Sequence, residues 1–180
     1  MTSSRGKLIL GIVVLVAALV AWFAITEWPA KTPSPYADSA VTGTITFYDG
    51  SGHVLTHGDI NAKPFVWRAV SSRAATAPYN GSGATATLFA YQPRQNATPV
   101  LWSGDTLTAS TPFPDPAHPA VTATATDFSL KDFLDEFPPR WDGAIQVRIY
   151  LDAPGQTALT SSYVAANLKI SGDTWTQVPG

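Results

Sequence analysis

The strongest constraint on this chain is a run of apolar residues, Leu8 to Ile25, close to its N-terminus. A helix rises about 1.5 Å per residue, so this run would extend roughly 27 Å, close to the thickness of the hydrocarbon layer of a bilayer. A helix also satisfies every backbone polar group within the segment, as the bilayer interior requires. The run therefore predicts a single transmembrane helix over residues 8–25.

The charges on either side of this run predict its orientation. Arg5 and Lys7 precede the run, whereas Glu27 is the first charged residue after it. The cytoplasmic flanks of membrane helices carry the excess of lysine and arginine. We therefore expect residues 1–7 to form a cytoplasmic tail and the C-terminal part to lie outside the cytoplasm, as in a single-pass protein of the cell membrane.

A cleaved signal peptide is the alternative interpretation of the same segment. Signal cleavage requires small residues at the cleavage point and two positions before it. Cleavage after Ala24 would place Trp22 at the second of these positions, and cleavage after Ala30 would place Trp28 there. The sequence therefore favours a retained signal anchor, and both interpretations predict an extracytoplasmic domain.

The composition of the 180-residue chain narrows the classes of function. The chain has no cysteine, which excludes disulfides, thiolate metal sites and cysteine nucleophiles. Its formal net charge of −2 argues against binding to nucleic acid. Charged residues make up 13% of the chain, below the usual value of about a quarter. The fold must therefore be stabilised mainly by the burial of apolar side chains.

A proline-containing segment, residues 26–40, follows the apolar run. Pro29, Pro33 and Pro35 lie among small polar residues, which is typical of an extended and partly stiff spacer. We expect a tether over residues 26–40 and a folded domain over residues 41–180. The alternative is that the part near Tyr36 packs on the domain as a first edge strand.

From residue 41 onward, apolar and polar residues alternate, which is typical of half-buried β-strands. Turn sequences such as Asp49-Gly50-Ser51-Gly52 separate the alternating segments. The pattern predicts an all-β fold of roughly seven to nine strands arranged as a two-sheet β-sandwich. In the clearest segment we expect Ile145, Val147, Ile149 and Leu151 to face the core and Gln146, Arg148, Tyr150 and Asp152 to face solvent.

The alternation of apolar and polar residues and the turn sequences also predict the structure of two shorter segments. Residues 64–70 should form a strand that carries Phe65, Trp67 and Ala69 on one side. Residues 103–105, with the sequence Ser-Gly-Asp, should form a turn between strands at 100–102 and 106–110.

One segment has the period of a helix instead. Its apolar residues at the spacing i, i+3, i+4 and i+7 are Leu130, Phe133, Leu134 and Phe137. Ser129 is suited to cap the first turn together with Asp132, and two prolines follow the last apolar residue. We expect a short helix whose apolar stripe closes one end of the sandwich. The alternative is a stripe that docks a partner.

These features resemble two protein families. The short helix before the strand 145–151 and the final hairpin that leads to Trp175 are similar to the E–F connection and the F–G strands of immunoglobulin-like β-sandwiches. With the anchor, the chain resembles the membrane-anchored Ig-like envelope domains of actinobacteria. The anchor, the tether and the stretches 45–49 and 64–67 also resemble small mycobacterial membrane proteins that accompany lipid transporters. The first resemblance implies an Ig-like fold, and neither implies a catalytic residue.

The search for chemistry identifies no reaction. His53 and His57, with Asp59 nearby, could bind zinc or copper if both histidines lay on one strand face. The alternative is a pair of exposed hairpin histidines, with Gly58 interrupting the strand. No G-x-S-x-G pattern and no phosphate-binding glycine loop is present in the sequence. We predict no catalytic residue, no metal and no cofactor, and we do not expect an enzyme.

Four aromatic residues near predicted turns are the candidates for a binding surface: Tyr79, Tyr91, Trp102 and Trp141. Aromatic faces at the end of a sandwich can hold sugars by stacking. The alternative is that Trp102 and Trp141 cover the open ends of the core.

The sequence therefore predicts a membrane-tethered, extracytoplasmic binding or accessory module of the cell envelope. Its partners would be the membrane and an envelope protein or glycan. The alternatives are a carbohydrate- or lipid-binding surface domain and an extracytoplasmic enzyme with an unrecognised site. An exposed row of aromatic residues on one sheet would favour sugar, an exposed uncharged edge strand would favour protein, and a deep apolar cavity would favour lipid.

Overall fold

The computed structural model describes residues 33–179. The predicted cytoplasmic tail, the transmembrane helix over residues 8–25 and the first part of the tether lie outside the described residues. Between residues 33 and 179, no helix has the length and apolar character needed to cross a membrane. The compact unit begins at Pro35.

Residues 33–179 are mostly β-structure, with eleven strands and one short α-helix. In chain order the strands are β1 (Val41–Tyr48), β2 (Val54–Leu55), β3 (His57–Asp59), β4 (Arg68–Ser71), β5 (Thr85–Gln92), β6 (Ser103–Thr106), β7 (Thr111–Pro112), β8 (Ala120–Thr122), β9 (Ala144–Asp152), β10 (Leu159–Ser171) and β11 (Thr174–Val178). The helix α1 (Leu130–Glu136) lies between β8 and β9, and a 3-10 helix (Pro99–Leu101) precedes β6.

The strands pair in two groups that are joined through β1, and the sheet does not close. In the first group the order is β6-β5-β9-β10. Strand β11 pairs with the second half of β10, and β3 pairs with β11. Strand β7 pairs with the start of β5. The first half of β1 runs parallel to β10, with Val41 opposite Tyr163. The second half pairs antiparallel with β4 and β2, and β8 forms the far edge.

Apolar residues from both groups form one core, because alternate residues on each strand point to the same side. The alternation of apolar and polar residues expected from residue 41 onward is present in β5, where Ala86, Leu88 and Ala90 are fully buried. At one end the ring of Phe47 meets the rings of Phe65 and Trp175 edge-on, with centroids 5.4 and 5.7 Å apart.

The predicted helix is confirmed, together with its cap. The Ser129 hydroxyl accepts a hydrogen bond from the Asp132 N–H, and an Asp132 carboxylate oxygen accepts one from the Ser129 N–H. Leu130, Phe133 and Leu134 are buried in the core. The stripe therefore faces inward, which disfavours its interpretation as a docking surface.

Two local predictions are wrong. Ser103–Thr106 is not a turn but strand β6, because it pairs with the end of β5, and Pro99–Leu101 forms a 3-10 helix in place of the expected strand. Trp67 does not share the buried side of Phe65, because strand β4 begins only at Arg68 and the residues before it do not follow the strand period. The Trp67 side chain is 43% exposed.

The last residues of the predicted tether, Tyr36 to Ala40, pack on the folded unit. The Tyr36 hydroxyl donates a hydrogen bond to the carbonyl of Leu168 at 2.9 Å, and the carbonyl of Ala40 accepts one from the Tyr163 N–H. The boundary expected at residue 41 therefore lies earlier, because these contacts bury part of the segment against strand β10.

The largest departure from expectation concerns the outer face of β9. Every residue from Ala144 to Tyr150 is buried, so Gln146, Arg148 and Tyr150 do not face solvent. A second cluster of buried residues covers this face, with Tyr150, Tyr163 and Ala165 at its centre and Ala40 packed on its edge.

Candidate functional site

A buried arginine lies at the centre of the outer face of β9. Arg148 is 2% exposed, and each nitrogen of its guanidinium has a hydrogen-bond acceptor. Its Nε donates to Oε1 of Gln146 at 2.7 Å, and its Nη1 donates to the Tyr150 hydroxyl at 3.2 Å. Its Nη2 donates to Oδ2 of Asp38 at 3.1 Å. A buried charge requires such a set of partners because it has lost its hydration.

Asp38 brings the N-terminal segment onto this arginine. The side chains of Asp38 and Arg148 are both only 2% exposed. The Oδ2 atom of Asp38 also accepts a hydrogen bond from the Tyr163 hydroxyl at 2.7 Å, and its Oδ1 accepts the Ala40 N–H at 3.0 Å. Both oxygens of the carboxylate therefore accept hydrogen bonds, and these bonds join residues 36–40 to β9 and β10.

Three aromatic rings enclose the guanidinium. Its Cζ atom lies 4.0 Å from the ring centroid of Tyr91, 4.5 Å from that of Tyr163 and 5.3 Å from that of Trp102. Burial raises the pKa of Tyr163, and the hydrogen bond that its hydroxyl donates to Asp38 raises it further. Burial also raises the pKa of Tyr91, with a further contribution from the Tyr150 hydroxyl. We call Arg148 with Asp38, Tyr91, Trp102, Tyr150 and Tyr163 the Arg148 cluster.

A cleft of about 440 Å³ opens beside the Arg148 cluster. Its walls include Ser39, Thr98, Thr160 and Ser161, which offer small hydroxyl groups. Pro99 and Val100 of the 3-10 helix line its edge. Val100 is 85% exposed, and Leu101, the next residue of the same helix, is 62% exposed just outside the lining. We call Val100 and Leu101 the apolar rim.

The structure brings two of the four predicted aromatic residues together. Tyr91 and Trp102 both belong to the Arg148 cluster, but Trp102 is only 5% exposed and its indole N–H donates to the carbonyl of Ala97. Tyr79 lies apart from them, in the loop before β5, where its hydroxyl donates to the carbonyl of Thr157. Trp141 is half-buried in the turn before β9.

Sequence reasoning missed the central residue of the cluster. Arg148 alternates with apolar residues as any solvent-facing residue would, and its partner Asp38 is 110 positions away. One local signal was present in Gly104, which lies opposite Tyr91 in strand β6. A Cβ atom on Gly104 would stand 2.4 Å from the Tyr91 ring, so a glycine is needed there for the ring to lie over the strand.

The outer face of β1 and β4 holds a second arginine beside a tyrosine. Arg68 is exposed, and its Cζ atom lies 5.9 Å from the ring centroid of Tyr48. A cleft of about 380 Å³ lies here, lined by Tyr48, Trp67, Arg68, Thr122 and the turn residues Asp49, Gly50 and Gly52. We call it the Trp67 cleft. The sequence prediction overlooked it because Trp67 was placed on the same side of one strand as Phe65 and Ala69.

The histidines are dispersed over the surface. His53 lies in the turn between β1 and β2, where its Nδ1 atom is 3.2 Å from Oδ2 of Asp49. His57 lies in β3, which pairs with β11, so the two histidines do not share a strand. His118 pairs with Asp115 in a loop at 3.0 Å. In residues 33–179, no group of three or more histidine, aspartate or glutamate side chains could hold a metal ion.

Comparison with known proteins yields no relative from which a role could be transferred. No protein-family model matches the chain, and no curated protein or solved structure is significantly similar to it. The function is therefore inferred from the residues and their geometry.

Proposed function

We propose that this protein is a membrane-tethered, extracytoplasmic module of the cell envelope that binds a protein partner and catalyses no reaction. Its folded part would be an Ig-like two-sheet β-sandwich. The anchor is supported by the apolar run Leu8 to Ile25 and by the basic residues before it. The sandwich is supported by the two groups of mainly antiparallel strands that share one core.

The apolar rim is the observation that carries the binding role. Val100 and Leu101 are adjacent in the chain and both are largely exposed. Single exposed apolar residues are common, but a contiguous apolar surface beside a cleft is typical of an interaction site. The rim also borders the side chains of Tyr91, Tyr150 and Tyr163, and tyrosine is enriched at protein–protein interfaces.

The Arg148 cluster supports this role by holding the cleft rigid. The hydrogen bonds of Arg148 and Asp38 join β9, β10 and residues 36–40 below the cleft. A partner would therefore meet a preorganised surface and would pay less conformational entropy on binding.

A partner that adds a strand to the sheet is less well supported. The edge strands β6 and β8 contain only four and three residues. Strand addition draws its affinity from a row of main-chain hydrogen bonds, and such short edges offer few of them. The rim is the better candidate for the contact.

The absence of cysteine from the chain allows a direct test. Val100→Cys would be expressed in intact cells and treated with a membrane-impermeant photocrosslinker that reacts with thiols. We expect labelling without lysis and, after illumination, a discrete crosslinked product. The matched control is Val54→Cys, because Val54 is 58% exposed on a different surface. A second variant, Leu101→Asp in the Val100→Cys background, should abolish the product.

Three results would contradict the proposal. Labelling only after lysis would place the rim in the cytoplasm. A crosslinking pattern that is the same from positions 100 and 54 would show that the rim has no specific partner. A measurable turnover of an envelope substrate that depends on the cleft would instead support the enzyme alternative.

A further inference from the structure

The second group of strands consists of β2, the second half of β1, β4 and β8. Its outer face carries a row of side chains that face solvent. The backbone register places Val54, Tyr48, Arg68 and Thr122 opposite one another across β2, β1, β4 and β8. Val54, Arg68 and Thr122 are exposed and Tyr48 is half-buried. Tyr48, Arg68 and Thr122 of this row line the Trp67 cleft, far from the apolar rim at the other end of β1.

Trp67 is held in a defined position beside this row. Its backbone N–H donates to the carbonyl of Tyr48 at 3.1 Å, and its carbonyl accepts the Ala123 N–H at 2.9 Å. Gly50 lies under the indole ring, and a Cβ atom there would stand 3.3 Å from it. The ring nevertheless stays 43% exposed. An aromatic face that is fixed and exposed before binding lowers the entropic cost of a stacking contact.

Arg68 provides donors that the protein leaves unused. Within residues 33–179 its guanidinium makes no ion pair and no side-chain hydrogen bond. Its contact with the Tyr48 ring is a cation–π interaction, which does not occupy the N–H donors. A guanidinium has five N–H donors arranged in a plane. These donors are therefore available to a ligand in the cleft.

Asp49 provides an acceptor in the same cleft. Its Oδ1 atom accepts the N–H groups of Ser51 and His53 at 2.8 and 2.9 Å, which fixes the carboxylate in the turn. The hydrogen bond from the His53 backbone lowers the pKa of Asp49, so the group remains an ionised acceptor at neutral pH. Among residues 33–179 the hydrogen-bond partner of its Oδ2 atom is the exposed ring of His53, at 3.2 Å, so this oxygen retains lone-pair sites for a ligand.

We propose that the Trp67 cleft binds a neutral glycan through one pyranose ring. The C–H face of a pyranose is weakly positive and stacks on the negative face of an indole ring. Sugar hydroxyls are both donors and acceptors, and Arg68 and Asp49 offer one group of each kind. The cleft volume of about 380 Å³ lies within the usual range for small-ligand sites.

The opposite charges of Arg68 and Asp49 favour a neutral ligand over an acidic one. A uronic acid or a phosphate would gain from Arg68 but would be repelled by the carboxylate of Asp49 in the same cleft. This site goes beyond the protein-binding role proposed for the apolar rim, and the two can succeed or fail independently.

The test uses the full chain, purified in a polyoxyethylene detergent whose headgroup contains no sugar. The probes are immobilised neutral oligosaccharides built of pyranose rings (glucans, mannans, β-1,4-galactans and chito-oligosaccharides) and acidic ones (polygalacturonate and alginate). We expect at least one neutral probe to bind. Trp67→Ala and Arg68→Ala should each weaken this binding about tenfold or more, and Trp67→Phe should retain part of it.

The matched control is Phe128→Ala. Phe128 is also an exposed aromatic residue, 49% exposed, and a lysine lies over its ring, but it does not line the Trp67 cleft. Its replacement should leave glycan binding unchanged. The variants are compared at equal folded concentration, checked by thermal unfolding.

The proposal is overturned by binding that Trp67→Ala leaves intact, by binding to acidic probes alone, or by no binding to any probe. A loss of binding in Phe128→Ala as large as in Trp67→Ala would also overturn it. The crosslinking experiment at position 100 does not depend on any of these outcomes.

Discussion

Arg148 and Arg68 both lie beside tyrosine rings on the outer face of a strand, but one is buried and the other is exposed. Arg148 is enclosed by the rings of Tyr91 and Tyr163 and is paired with Asp38, whereas Arg68 touches Tyr48 and has no carboxylate partner within residues 33–179. The neighbours in the chain are alike, since Arg148 lies between Val147 and Ile149 and Arg68 lies between Trp67 and Ala69.

The difference comes from what covers each face. Residues 36–40 lie over Arg148 and supply Asp38, while the rim segment approaches from the other side. Nothing comparable lies over Arg68, which remains exposed in the Trp67 cleft. A covered arginine needs partners inside the protein and becomes part of the fold, whereas an uncovered one keeps its donors for a ligand.

The comparison is tested most strongly by removing each arginine. Arg148→Ala leaves the buried carboxylate of Asp38 without its partner and should lower the free energy of unfolding by about 3–5 kcal/mol. Arg68→Ala removes an exposed side chain and should change it by less than about 0.5 kcal/mol. Urea denaturation of the fragment Pro35–Gly180, followed by tryptophan fluorescence, measures both values. Equal effects of the two substitutions would refute the distinction.

A smaller effect is expected when only the charge of the covering segment is removed. Asp38→Asn keeps the size of the side chain but loses the charge-assisted hydrogen bonds from Arg148 and Tyr163, so the free energy of unfolding should fall by about 1.5–3 kcal/mol. The same denaturation assay measures it. Asp135→Asn is the control, because Asp135 pairs with Lys131 on the exposed surface of the helix and such pairs contribute under about 1 kcal/mol. An Asp38→Asn variant as stable as this control would mean that the contacts of residues 36–40 with the domain do not stabilise the fold.

The smallest expected effect on stability concerns Tyr36, in the segment of residues 36–40 that lies over Arg148, at alkaline pH. Burial, together with the negative charge of Asp142, raises the pKa of Tyr36 from 10.0 to about 12. The folded state therefore favours the neutral phenol. Because the folded state holds this proton more tightly than the unfolded state, Tyr36 contributes to the free energy of unfolding. The contribution is fully present below pH 10 and is lost as the pH rises through about 12.

Tyr36→Phe isolates this contribution because it removes the titrating group. The midpoint of urea denaturation should fall less steeply between pH 10 and about 12 in the variant than in the parent fragment. Identical slopes would show that the segment around Tyr36 does not remain docked in alkaline solution.

The parts that could be predicted are those that depend on neighbours in the chain. The turn at Asp49 to Gly52 and the helix capped by Ser129 both form as expected, because side-chain oxygens bond to N–H groups two to four residues away. The apolar face of β9, with Ile145, Val147 and Ile149 in the core, was predicted for a similar reason, since the period of two alone selects which side chains share a face.

The parts that were missed depend on distant pairing. Ser103–Thr106 has the composition of a turn, but it forms a strand because it pairs with the end of β5 and accommodates the ring of Tyr91 over Gly104. Trp67 was predicted to share one side of a strand with Phe65 and Ala69 because the period was extended back from β4 to residues that are not in a strand. The candidate sites changed accordingly, from four separate aromatic residues to the cleft beside the Arg148 cluster and the Trp67 cleft.

The sequence by itself determined that the domain is built from strands with one capped helix, because alternation, turn residues and capping act over a few positions. Only the tertiary structure decided which polar residues are buried. The roles of Arg148 and Arg68 depend on whether a distant segment covers them, and the partner of Arg148 lies 110 residues away. Coverage is a property of three-dimensional packing, and no local pattern of residues encodes it.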